Sequence, residues 1–99
     1  MNWSVYIILC TDDSLYTGIT TDMSRRFAQH ANQKGAKYFR GRQPRQVIYV
    51  EAGHNRISAS KRESAIKKMN RLEKLQLVAF RLEADDRLRV KEDWRVKAG

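Results

Sequence analysis

One cysteine, Cys10, one proline, Pro44, and five glycines are all that 99 residues contain of these types. A lone thiol closes no internal disulfide, so the chain must stand on its own apolar core, and this length is just enough for one domain without metal or disulfide staples. Cys10 sits in an apolar strand pattern and reads as a buried structural thiol. No apolar run approaches the roughly 18 residues of a membrane span, and the N-terminus has no basic stretch leading into a long apolar one. The chain therefore reads as cytoplasmic. Acids are scarce too, eleven against twenty Lys and Arg, a formal charge of +9. That excess favours a polyanionic partner, nucleic acid or an anionic membrane surface. No internal repeat or low-complexity tract is present.

The residues that are present give an α+β pattern. Trp3 to Cys10 is a β-branched and aromatic run that stops at Thr11-Asp12-Asp13-Ser14, a cluster of turn formers, and Leu15 to Thr20 resumes extended character. The two runs read as a hairpin. Two- and three-residue loops give opposite registers, and the sequence leaves both open; with three, Tyr6, Cys10, Tyr16 and Gly18 share one face. Thr21 or Asp22 caps a helix to about Ala31, with Met23, Phe27 and Ala31 on its inner stripe, His30 on that stripe and Arg26 at its border. Residues 32–45 read as a loop and Gln46 to Glu51 as a third strand, broken by Gly53-His54-Asn55. A helix from about Ser58 to Met69 follows, its apolar side set by Ala65, Met69 and Leu72. Asn70-Arg71-Leu72-Glu73 has capping-box spacing and opens a third helix to about Leu82. From Ala84 onward the tail is mostly charged, so the domain is bounded at residues 1–83 and the tail at 84–99.

Charge is placed unevenly. From Met23 to Val50 there are seven cations (Arg25, Arg26, Lys34, Lys37, Arg40, Arg42 and Arg45) and no carboxylate. Tyr38 and Phe39 interleave with Lys37 and Arg40, a composition suited to neutralising phosphates while stacking on bases. The structural alternative is a solvated loop whose aromatics fold back on the core.

Tyr6, then Tyr16-Thr17-Gly18, then Arg26 and His30 one helical turn apart, then Glu63 on a later helix, together resemble the GIY-YIG nuclease domain. The resemblance runs from about Trp3 to Leu82 and is closest to the small stand-alone YhbQ-like type, through Leu15-Tyr16-Thr17-Gly18-Ile19-Thr20-Thr21-Asp22 and Lys34-Gly35-Ala36-Lys37. Each motif is short, and it is their order and spacing that are specific. The resemblance implies a three-stranded antiparallel sheet flanked by helices, and endonuclease cleavage of phosphodiester bonds, in DNA above all, with one divalent metal, Mg²⁺ or Mn²⁺. It implies Glu63 as the metal ligand, and a single carboxylate suits Mg²⁺, which keeps several waters. It gives Tyr6 and Tyr16 the attacking water and the phosphate, His30 the assistance of Tyr6, and Arg26 the charge that builds on the phosphate. Gly18, Arg25, Lys34, Lys37, Tyr38, Arg40, Arg42 and Arg45 are the expected nucleic-acid contacts. No membrane partner is expected; a protein partner or a second copy would supply what one small domain lacks. Cleavage directed by substrate shape, with weak sequence preference, follows from reliance on phosphate contacts.

The chain departs from the family pattern in three places. Ser4-Val5-Tyr6 stands for Gly-Ile-Tyr, Ile19 for a lysine found after the YIG glycine in some members, and Leu75 for an asparagine found in many. Each site residue also has a structural reading: Tyr6 and Tyr16 as sheet aromatics, Arg26 as surface charge, His30 as a core-edge imidazole, Glu63 closing a capping box with Ser60, and Gly18 relieving a close approach. The competing function is a nucleic-acid binding module on the same scaffold without turnover, and a basic adaptor for proteins is a third reading.

Overall fold

In the computed structural model, which describes residues 2–32, 39 and 41–88 and the side chains of these up to Leu82, the chain runs β1 (Trp3–Cys10), β2 (Leu15–Thr20), α1 (Met23–Ala31), β3 (Pro44–His54), α2 (Arg56–Lys67) and α3 (Arg71–Leu88). The three strands form one antiparallel sheet in the order β2-β1-β3. The α+β class and the strand count expected from the sequence are those observed.

The hairpin settles the register. Cys10 N donates to Ser14 O and Asp13 N to Cys10 O, closing a loop of Thr11, Asp12 and Asp13 with Asp13 at φ 66°. An aspartate tolerates that left-handed conformation better than most residues do. The pairing Tyr6↔Gly18 and Ile8↔Tyr16 follows, so Tyr6, Ile8, Cys10, Tyr16 and Gly18 share one face. As the central strand, β1 is covered on both sides: Val5, Tyr6, Ile7 and Ile8 are all fully buried. One core layer gathers Tyr6, Ile8, Cys10, Met23, Phe39 and Val47 on the α1 side. The other gathers Val5, Ile7, Tyr49, Ala59, Ile66 and Val78 under α2 and α3. Cys10 is buried, as its neighbours predict.

Strand β3 is longer than its apolar run, Pro44–His54 against the predicted Gln46 to Glu51. Pro44 can open it because a first residue needs no ladder donor. A register shift between Ile7 and Ile8 puts Tyr49 opposite Ile7 and Val47 opposite Ile8, so two residues of equal parity face opposite cores. The shift turns Tyr49 and Glu51 toward α2. There Arg62 Nε donates to both Glu51 oxygens at 3.2 Å, Tyr49 Oη donates to Glu51 at 2.7 Å, and His54 Nε2 lies 2.7 Å from the same carboxylate. This cluster fastens α2 to the sheet. Removing the shared acceptor with Glu51→Ala leaves a half-buried guanidinium and two other donors without it, and should lower stability by about 2 kcal/mol in a denaturant titration.

Helix α1 starts at Met23 because Asp22 caps it, its carboxylate accepting from Arg25 N at 3.1 Å. Its inner stripe ends on buried His30; Ala31, expected there, is exposed. Met23, Phe27 and His30 are one and two turns apart, whereas Ala31 falls about 100° past His30. Helix α2 starts at Arg56, two residues before the expected Ser58, since Asn55 and Ser58 form the capping box. That assignment removes the reading in which Ser60 caps Glu63. Ala59 and Ile66, two turns apart, form its buried side, and Ala65 faces outward. Asn70 and Glu73 make the predicted reciprocal cap of α3, with Glu73 N donating to Asn70 Oδ1 at 2.8 Å and Asn70 N to Glu73 Oε1 at 3.0 Å. α3 continues to Leu88, past the expected end near Leu82 and across the 83/84 boundary. Among the described residues no helix is long and apolar enough to cross a membrane.

Candidate active site

Strand alternation, one glycine and one helix turn assemble a polar group within the α1-side core. Tyr6 projects from β1 toward the edge strand β2, where Gly18 lies directly opposite. A Cβ at Gly18 would stand 2.5 Å from Tyr6 Oη and 2.6 Å from Cζ. The missing side chain is therefore what admits the phenol. The hydroxyl lies 2.8 Å from His30 Nε2, and both residues are fully buried. Tyr16 stands edge-on to His30 at 5.2 Å between ring centroids and is half-buried.

Arg26, one turn before His30, is half-buried on the same helix; its Nη1 donates to Gln29 Oε1 at 3.1 Å. Its Nε is buried with no acceptor among the described residues. A buried guanidinium N–H without a partner costs free energy that an incoming oxyanion would recover. Glu63 is carried by α2. Its side chain is 23% exposed and pairs with Lys67 Nζ at 3.4 Å, and its charge reaches the Tyr6 phenol.

Electrostatics fix the resting protonation. Burial pushes the Tyr6 phenol well above its ordinary value, the charges of Tyr16 and Glu63 push the same way, and the neighbouring Arg26 guanidinium pulls it down. Tyr6 is thus a neutral phenol at pH 7. Burial, then the charge of Arg26, lowers His30 from 6.5 to about 4, so the imidazole is neutral as well. Either Tyr6 donates to Nε2, or Nε2–H donates to the phenol oxygen; in both tautomers Nδ1 lacks a partner among the described residues.

This burial has a measurable consequence. The unfolded chain binds a proton at His30 near pH 6.5 and the folded chain only near pH 4, so stability falls as pH drops through that window, by at most about 3 kcal/mol. Urea midpoints of the native chain should decline between pH 6.5 and 4. His30→Gln should remove that part of the decline.

The structure brings Tyr6, Tyr16, Gly18, Arg26 and His30 together, with Glu63 within electrostatic reach. Of the expected nucleic-acid contacts, Arg25 and Arg45 are exposed, while Arg42 is engaged with Asp12 at 2.9 Å. Lys34, Lys37, Tyr38 and Arg40 lie outside the described residues. Phe39 does not offer its ring to a base. It is fully buried, with its centroid 4.2 Å from His30 and 4.9 Å from Tyr16, and forms the wall behind them. Its spacing within a loop of no clear period carries no sign of this. The Glu51–Arg62 fastening was also missed, since Glu51 looked like the end of a strand.

Residues 2–76 match the GIY-YIG catalytic domain. A UPF0213 protein of Desulfotalea psychrophila is 48% identical over 77 residues, 77% of this chain and 70% of its own length. Another, of Oceanobacillus iheyensis, is 47% identical over 76 residues, covering 77% and 88%. The solution NMR structure of a UPF0213 protein from Bacillus halodurans superposes with a TM-score of 0.52 at 45% identity, over 81% of this chain and 85% of that one. The chain belongs to the GIY-YIG family.

Proposed function

We propose that this member of the GIY-YIG family is an endonuclease that hydrolyses phosphodiester bonds of DNA with one divalent cation, Mg²⁺ or Mn²⁺. Its target would be chosen by shape more than by sequence. The observation that carries the reading is the buried Arg26 Nε, with no acceptor among the described residues, beside a phenol hydrogen-bonded to a neutral imidazole, with a carboxylate whose charge is felt at that phenol. Most buried donors are paired, so an open guanidinium N–H at this position favours an anionic acceptor.

Glu63 would hold the cation, with water and phosphate oxygens completing its shell. Among the described residues no cluster of three or more His, Cys, Asp or Glu could hold a metal. One carboxylate with open positions suits Mg²⁺ and does not suit a closed zinc site or a symmetric two-metal site. When bound, the cation would offset the Glu63 charge that raises Tyr6 and would polarise the phosphate.

The chain's own residues do the rest. Tyr6 Oη positions the attacking water and takes its proton as the phenol proton passes to His30 Nε2, 2.8 Å away. In the tautomer whose Nε2 is unprotonated His30 can accept it, and the negative charge of a bound phosphate would offset the burial that holds the imidazole's basicity down. Tyr16, half-exposed beside them, orients water or a phosphate oxygen. Arg26 donates Nε and a terminal N–H to the phosphate as negative charge accumulates. Exposed Arg25 and Arg45 hold flanking phosphates, which supplies affinity without base identity.

The test is a panel of supercoiled plasmid, duplex, single-stranded, flap and branched substrates, DNA and RNA, with Mg²⁺, Mn²⁺ or chelator. Cleavage is expected with either metal, strongest on a non-linear DNA. Salt-sensitive binding to every substrate with cleavage of none would assign the protein to the binding modules instead.

A further inference from the structure

Helix α2 carries four cations, Arg56, Lys61, Arg62 and Lys67, and one carboxylate, Glu63, with Lys68 as its C-cap. The sequence footprint stopped at Val50 and missed this surface. Arg62 is spent on Glu51. The others are exposed, and their arrangement is not uniform. Arg56, Ser60, Glu63 and Lys67 occupy positions i, i+4, i+7 and i+11, one ridge along the flank of the helix, with Lys68 next to its end. At 1.5 Å per residue the ridge is about 16 Å long.

Glu63 lies inside this ridge, between Ser60 and Lys67. Arg56 is held at one end, its guanidinium 5.6 Å from the centre of the Trp3 ring. Lys67 Nζ lies 3.4 Å from the Glu63 carboxylate at the other. β2 is an edge strand of the sheet, and among the described residues no further strand pairs with it on the side away from β1.

We infer that the Arg56–Ser60–Lys67–Lys68 ridge is a second phosphate track, which holds the backbone of the bound nucleic acid on either side of the phosphate presented to Glu63. The inference rests on the nuclease reading of that site and adds the substrate's path across it. A phosphate at Glu63 places its neighbours along the ridge, where a guanidinium, a hydroxyl and two ammonium groups meet them. Arg25 and Arg26 lie on α1, across the sheet, so the backbone is gripped from both layers. These contacts read no base, in keeping with recognition by shape.

The test compares Glu63→Gln with the same chain carrying Arg56→Ala, Lys67→Ala and Lys68→Ala. Binding of a fluorescent duplex is followed by anisotropy from 50 to 300 mM salt without divalent metal, so that neither cleavage nor the unpaired Glu63 charge contributes. Each lost phosphate contact flattens the log–log salt dependence by about 0.9, so a slope shallower by about two to three is expected, with affinity about ten- to hundredfold weaker at low salt. Restoring charge with Arg56→Lys, Lys67→Arg and Lys68→Arg should restore the slope, and circular dichroism should be unchanged, since all three side chains are exposed. An unchanged slope in the triple-alanine chain overturns the track while leaving the nuclease reading in place. If the Glu63→Gln chain itself binds no duplex at 50 mM salt, both readings fall.

Discussion

Glu63→Gln is expected to lower metal-dependent cleavage at least a hundredfold while leaving the fold and nucleic-acid affinity nearly intact. The substitution keeps the size of the side chain and removes the charge that would hold the cation. Its structural cost is small, because the one ion pair it breaks among the described residues is the i, i+4 contact with half-exposed Lys67 at 3.4 Å. Such pairs contribute about 0.3–0.5 kcal/mol. Tyr6→Phe should cost a similar factor in rate for a different reason. It removes the hydroxyl that His30 Nε2 faces at 2.8 Å and leaves an imidazole with no partner on either nitrogen among the described residues. That variant should also lose about 1–3 kcal/mol of stability. The pair separates chemistry from structure: an inactive Glu63→Gln with a native melting profile isolates the metal role, and an inactive Tyr6→Phe need not. Full cleavage by Glu63→Gln would remove the metal role from this residue, and the acid would be a surface partner of Lys67.

How much of this could be read beforehand depended on which force fixed each feature. The hairpin, α1 and the Asn70 cap were legible because turn formers, a capping aspartate and a box of fixed spacing act locally. The reach of β3 was not, because its ends are fixed by Pro44 pairing with Cys10 and His54 with Trp3, past residues that have no apolar pattern of their own. The inner side of α2 was misjudged for a related reason. Ala65 and Ala59 are equally plausible to a periodicity argument, and only the start at Asn55, with Arg62 drawn to Glu51, rotates the helix into place. Tyr6, Tyr16, Arg26, His30 and Glu63 were legible as a family pattern, and separately each had an ordinary explanation. Phe39 was not legible at all. A fully buried aromatic in a polar stretch is set by what it lands on, here the His30 ring. Ile19 and Leu75, which replace family residues, explain nothing about the site geometry. Ile19 packs against the α2-side core, opposite the face that carries Tyr6.

Gly18→Ala should be strongly damaging for the addition of a single methyl. Glycine to alanine in a strand ordinarily helps, by roughly 0.4–1 kcal/mol through the unfolded chain. Here the added carbon would sit 2.5 Å from Tyr6 Oη and 2.6 Å from Cζ, both far inside contact distance. The ring cannot swing aside freely, since it is fully buried and its hydroxyl is tied to His30. Overpacking of this kind costs about 1–3 kcal/mol, which outweighs the entropic gain. In a domain of this size each kcal/mol lowers Tm by about 4–8 °C, so a net loss of about 1–2 kcal/mol gives an expected fall of roughly 4–16 °C. Cleavage should drop with it, because relief of the clash must move the phenol away from His30 and out of line with Arg26 and Glu63. Comparing Gly18→Ala in the native and Tyr6→Phe chains tests the cause. Loss of the hydroxyl removes the closer contact and leaves the Cζ contact, so the alanine should cost less stability in the phenylalanine chain. An equal cost in both would place the strain in the β2 backbone and not between these two residues.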